Sequence, residues 1–314
     1  MPRCAGASLG GLYSKRRGIG LTAHRRATRS SVRELGWPGA PAQKMNHLFP
    51  VLTALAYLLS FGLYVRFLST GSKLTGRLGT VLLGLGLIAH YFALLERSRG
   101  SHTVPYHDLY GSMSLFGWLL GVTYLGLELY HRQRSVGAFV LPFILVFFLA
   151  AHLAPADRLP PPAVHGAIFA LHVALSILAY AAFALSFVLS LIFLGEERLL
   201  RKHKVGDVVW RLPALELLAQ MSQSSVLVGL VSIAIGTVLG FVWVDRLSNQ
   251  YSFYDPKYVI TLLVLALYAL YFRLARTTAW RGARASKLCI LNFVIVVLSF
   301  TVVNLYLSHS HRYF

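Results

Sequence analysis

Eight apolar windows, each near the length that crosses a bilayer, constrain this chain more than any other feature. About 20 helical residues cover ~30 Å of hydrocarbon at 1.5 Å per residue. Windows of that kind run approximately Leu48 to Val65, Leu78 to Leu95, Leu109 to Leu129, Val136 to Leu153, Val164 to Leu194, Val226 to Val244, Tyr258 to Phe272 and Leu288 to Leu307. The stretches between them are too short for a soluble domain, which predicts an all-α, polytopic integral membrane helical bundle of about eight transmembrane helices over residues 45–314. Composition agrees, since 56% of the residues are apolar and 13% charged, with a mean hydropathy of +0.61. These values exclude a soluble globule and make membrane lipid the expected surroundings. The net charge of +19 is no sign of nucleic-acid binding, because the basic residues cluster beside the apolar windows. The two cysteines, Cys4 and Cys289, supply no disulfide framework, CxxC pair or cysteine metal site.

Lysine and arginine set the expected orientation. Alternate connections, around Lys73–Arg77, Arg132–Arg134, Arg198–Arg211 and Arg273–Lys287, hold fourteen of them, against six (Arg97, Arg99, Arg158, Arg246, Lys257, Arg312) in the opposite set. The positive-inside rule places the richer set in the cytoplasm and both ends of the bundle outside. Residues 1–44 object: nine Lys/Arg stand against one acid, Glu34, without the continuous apolar core of a signal peptide. Three readings are open for this basic leader: an upstream extension with the true start at Met45, a disordered tail, or an inverted topology.

In the expected orientation the histidines gather on one side. His47, His90, His102, His107, His152, His165, His172, His309 and His311 fall in the outer half or on the outer face, and imidazole is a common ligand for heme iron. The Val164–Leu194 window is about 46 Å of helix, longer than the bilayer needs. Counting about 20 residues back from Glu196–Arg198 leaves His172 one turn outside the hydrocarbon. The same count from Lys287 reaches Leu307, so His309 and His311 emerge at that level. So does the connection DRLSNQYSFYDPK, which follows Trp243 and carries Tyr251, Phe253, Tyr254 and Asp255. Two imidazoles with an aromatic platform suit a planar, bis-histidine macrocycle, although interfacial aromatics also serve as plain membrane anchors. His90 lies about 18 Å from the inner end of its span, where an ionisable group is a functional candidate by default. Arg273 and Glu128 sit at inner ends of spans, where snorkelling to the interface is expected.

Several stretches, in order along the chain, resemble one family. GLIAHYFALLERSRGSHTVPYHDLYGSMSLFGW is similar to the paired second and third spans of the CcsA/CcmC/HemX group of cytochrome c assembly proteins. ALHVALSILAYAAFALSFVLSLIFL is similar to their His-Val helix, and VNLYLSHSHRYF to their terminal V-N-x-x-x-x-G-L-H-S-Y. The tryptophan-rich WG-x-x-W-x-WDPKE loop is represented only by YSFYDPK, the second membrane histidine by Arg273 in YFR, and WRGAR at Trp280–Arg284 resembles the HemX branch, so the chain reads as a divergent HemX-like member. The resemblance implies a heme-handling protein of the bacterial inner (cytoplasmic) membrane, binding or presenting heme b at the outer face through His172 and His311, with His90 as a membrane-embedded ligand. It implies a binding factor without a catalytic nucleophile, working with apocytochrome c and a CcsB/ResB-type membrane partner. The alternative is a HemX-like regulator or scaffold that touches a cytoplasmic heme-biosynthesis enzyme through the basic loops. A transporter is the weakest reading, because no Gly/Pro-interrupted pair of spans sits in matching halves.

Overall fold

The computed structural model describes residues 47–101, 108–153, 166–203, 211–246 and 256–302. Among them the regular structure is helical: α1 (Leu48–Thr70), α2 (Lys73–Ser101), α3 (Leu109–His131), α4 (Gly137–Leu153), α5 (Ala167–Arg201), α6 (Leu215–Arg246), α7 (Pro256–Leu274) and α8 (Ala283–Val302), with one 3-10 turn at Thr278–Trp280. In its described residues, each of the eight apolar windows falls on one helix, to within a residue at the starts of α4 and α5. The leader 1–44, the connection carrying Tyr251, Phe253, Tyr254 and Asp255, and the terminal segment with His309 and His311 lie outside the described residues. α1, α2, α3, α5 and α6 are long and apolar enough to cross a membrane. Outward-facing Leu55, Leu59, Leu85, Ile88, Val231 and Val238 are exposed on them. Such continuous apolar surface is foreign to a protein surrounded by water and ordinary for one surrounded by lipid.

Local chemistry sets the helix ends. Gly71 closes α1 in the left-handed region at φ 69°, its N–H donating to the Phe67 carbonyl at 2.8 Å, and a two-residue turn then leads into α2. Glycine takes that conformation without the steric cost a Cβ would add. At the start of α3 the Asp108 carboxylate accepts the Gly111 N–H at 2.8 Å, a helix N-cap.

Lipid tails are as apolar as leucine, so packing inside such a bundle depends on close approach and on hydrogen bonds between helices. The α5–α6 seam is built that way. Its α5 side buries Ala179, Ala181, Ala182, Ser186 and Ser190, and Ser225 of α6 donates to the Ala182 carbonyl at 2.7 Å. α6 begins at Leu215, about three turns before the apolar window, because its early polar residues Ser222 and Ser225 are buried against protein.

Glu128 departs from the sequence reading. It does not snorkel: it is 1% exposed and accepts the Tyr64 and Tyr124 hydroxyls, each at 2.6 Å, together with the Thr80 hydroxyl, while Arg134 Nε lies 3.9 Å away. Depth along a helix does not say which way a side chain faces, and three hydroxyl donors hold this carboxylate inside. Arg273 is exposed at the end of α7, as expected.

Candidate functional site

The first turns of α5 and the last turns of α6 carry His172 and Trp243. Nδ1 of His172 lies 2.6 Å from the backbone carbonyl oxygen of Gly236. A carbonyl only accepts, so Nδ1 carries the proton and Nε2 keeps its lone pair. Among the described residues Nε2 has no hydrogen-bond partner. Orientation of a metal-binding imidazole through its other ring nitrogen is the usual support behind a ligating histidine. Gly240, one turn beyond Gly236, makes room for the ring: a Cβ there would meet Cε1 at 2.8 Å and Nδ1 at 2.9 Å. Phe169 completes the surroundings, its ring 4.6 Å from Trp243 and 6.3 Å from His172. Phe169, which precedes His172 by about one helical turn, thus places Trp243 and His172 around one aromatic ring.

His90 is placed differently. It is fully buried, with Nδ1 3.1 Å from the Tyr57 hydroxyl and Nε2 2.9 Å from Ser114 Oγ. Phe148 packs edge-on against it at 5.0 Å. Both ring nitrogens are therefore engaged, and binding iron would require one of them to be released. Beyond Phe148, at the same end of the bundle as His172, lies a group that sequence reasoning missed. His152 bonds the Tyr110 hydroxyl at 3.2 Å and the Phe148 carbonyl at 2.8 Å. Arg97 stacks over Tyr110 at 3.8 Å and pairs with Asp108. The signal was available, since Arg97, Asp108 and Tyr110 all lie in the stretch that carries the family resemblance, but their pairing depends on the fold.

Comparison with known proteins identifies the family. The family model described as Cytochrome C assembly protein matches residues 106–311. The chain belongs to the cytochrome c assembly protein family. Among its relatives is the Cytochrome c biogenesis protein CcsA of Synechococcus sp. (strain CC9902), 25% identical over 299 residues that cover 86% of this chain and 98% of that protein. CcsA of Pyropia yezoensis is 24% identical over 277 residues, 76% of this chain and 87% of its own length. CcsA of Chlamydomonas reinhardtii is 26% identical over 245 residues, 74% and 67% respectively. His90 falls outside the segment matched by the family model, and His172, Trp243 and His311 fall within it. No group of three or more His, Cys, Asp or Glu among the described residues forms a metal site.

Proposed function

We propose that this protein is a heme-handling factor of cytochrome c assembly that binds heme b at the outer face of a bacterial inner membrane. The chain crosses that membrane eight times, with both ends of the bundle outside. The observation that carries the reading is His172: its Nδ1–H is committed to Gly236 and its Nε2 is available to iron. His311 supplies the second imidazole, Trp243 and Phe169 the apolar wall, and the connection with Tyr251, Phe253, Tyr254 and Asp255 the remaining shelf. When bound, heme supplies the iron and the vinyl groups that cytochrome thiols attack. The protein's own residues bind, orient and shield it. Apocytochrome c and a CcsB/ResB-type membrane partner are the proposed partners, and the relatives' name favours assembly over a regulatory role toward a heme-biosynthesis enzyme. The test is the visible spectrum of the protein purified in detergent, alongside His172→Ala, His311→Ala and His309→Ala. Low-spin heme in the parent, lost in the first two variants and kept in the third, supports the reading. A parent without heme, or spectra unchanged in the first two variants, overturns it.

A further inference from the structure

Polar groups that the heme reading leaves unused gather in the second half of the bundle, toward the end that carries the basic connections. Ser186 Oγ lies 2.7 Å from Ser222 Oγ and 2.9 Å from the Cys289 sulfur. Ser222 Oγ lies 3.2 Å from the Tyr271 hydroxyl and 3.4 Å from Ser190 Oγ. All five side chains are buried. Beside them is Tyr268, 0% exposed, whose hydroxyl finds no hydrogen-bond partner among the described residues and lies within electrostatic reach of Cys289 and Tyr271. A buried hydroxyl left unmatched is costly, and its ordinary remedy is a water molecule.

An opening toward two members of this network, Ser222 and Tyr271, is present. A crevice lined by Glu216, Ser222, Gln223, Tyr271, Arg281 and Ser286 enters from the end of the bundle that carries the basic connections. Its volume is about 20 Å3, against the ~10–15 Å3 that one water occupies, so it holds a single water molecule. Arg281 and Glu216 pair across the mouth at 2.9 Å, and both are exposed. Exposed pairs of this kind add little stability and open readily. We propose that this crevice is a hydrated, single-file inlet leading from the basic end to the Ser222–Ser186 hydroxyls, and that Cys289 at its inner end is a thiol addressable from water. It admits water and cations no larger than water. The inlet is independent of heme binding, since none of its residues touches His172 or Trp243.

Silver ion, a soft cation small enough for the inlet, is the probe. It replaces the thiol proton, R–SH + Ag+ giving R–S–Ag + H+, with no change of oxidation state. Cys4→Ser leaves Cys289 as the sole thiol. Folded protein in membranes is exposed to Ag+, then unfolded in detergent, and the thiol still open to maleimide is measured. Protection of Cys289 within minutes is expected, at a rate at least ten-fold lower in Ala219→Leu, which fills the mouth. The rate should be higher in Arg281→Gln, an exposed change that removes the latch. A trimethylammonium-ethyl methanethiosulfonate, too wide for the inlet, should not react. Absence of silver protection in the folded parent overturns the proposal. So does a silver rate unchanged by both variants, or reaction with the wide reagent, since either result means another route to the thiol.

Discussion

A Cβ at Gly240 would lie 2.8 Å from Cε1 of His172, closer than real Cβ contacts come. The imidazole therefore rests on the bare backbone of α6, and the Gly236 carbonyl within the same helix fixes its rotation. Gly240→Ala should push the ring off that seat and weaken heme binding by about 10-fold or more, the range seen when groups supporting a ligand are altered. Gly62→Ala on α1 is the control, because a Cβ there meets nothing within 4 Å. Heme per polypeptide, read from absorbance after purification, distinguishes the two. Equal losses would mean that the effect is general.

The proposed orientation is tested separately from the ligands. A reporter fused after Lys204 should behave as cytoplasmic and one fused after Asn249 as external, following the bias of fourteen basic residues against six. The reverse pattern would put His172 and Trp243 on the cytoplasmic side and remove the outer-face reading.

The eight helices were legible because lipid imposes a one-dimensional rule: apolar length alone marks a span. His172 was singled out for a related reason, since counting residues from a charged anchor gives an expected depth. What counting cannot give is azimuth. Glu128 was expected to reach out from the inner end of its span and is buried instead, and three hydroxyls from α1, α2 and α3 explain the difference. The Gly236 bond likewise depends on the register between α5 and α6, which no local pattern in either helix encodes. Phe169 stood one turn from His172, but an aromatic at a membrane interface is too common for spacing alone to single it out.

His90 tests how far the membrane-embedded histidine matters for heme. His90→Ala strands the Tyr57 and Ser114 hydroxyls at fully buried positions, each unmatched group costing about 1–3 kcal/mol, whereas His90→Gln retains polar partners for both. The expected result is a clear drop in thermal midpoint for the alanine variant, a smaller one for glutamine, and heme content preserved in the glutamine variant. Loss of heme in His90→Gln with an unchanged midpoint would instead make His90 a ligand.

Glu128 offers the sharpest energetic test, because one carboxylate satisfies donors from three helices. Removing it in Glu128→Ala leaves the buried Tyr64 and Tyr124 hydroxyls without their acceptor, while the Thr80 hydroxyl keeps the Gly76 carbonyl at 3.0 Å. Each buried hydroxyl left unmatched costs about 1–3 kcal/mol, so this variant should melt well below the parent. Glu128→Gln keeps one acceptor oxygen and loses the charge, and should fall between the two. Tyr124→Phe removes a single donor, worth about 1.5–3 kcal/mol for a hydrogen bond to a charged group. Its effect should shrink when combined with Glu128→Ala, because the bond is already gone. Thermal midpoints of the single and double variants in one detergent give that coupling directly. Additive losses would mean that the Tyr124 hydroxyl and the Glu128 carboxylate do not stabilise the bundle through each other.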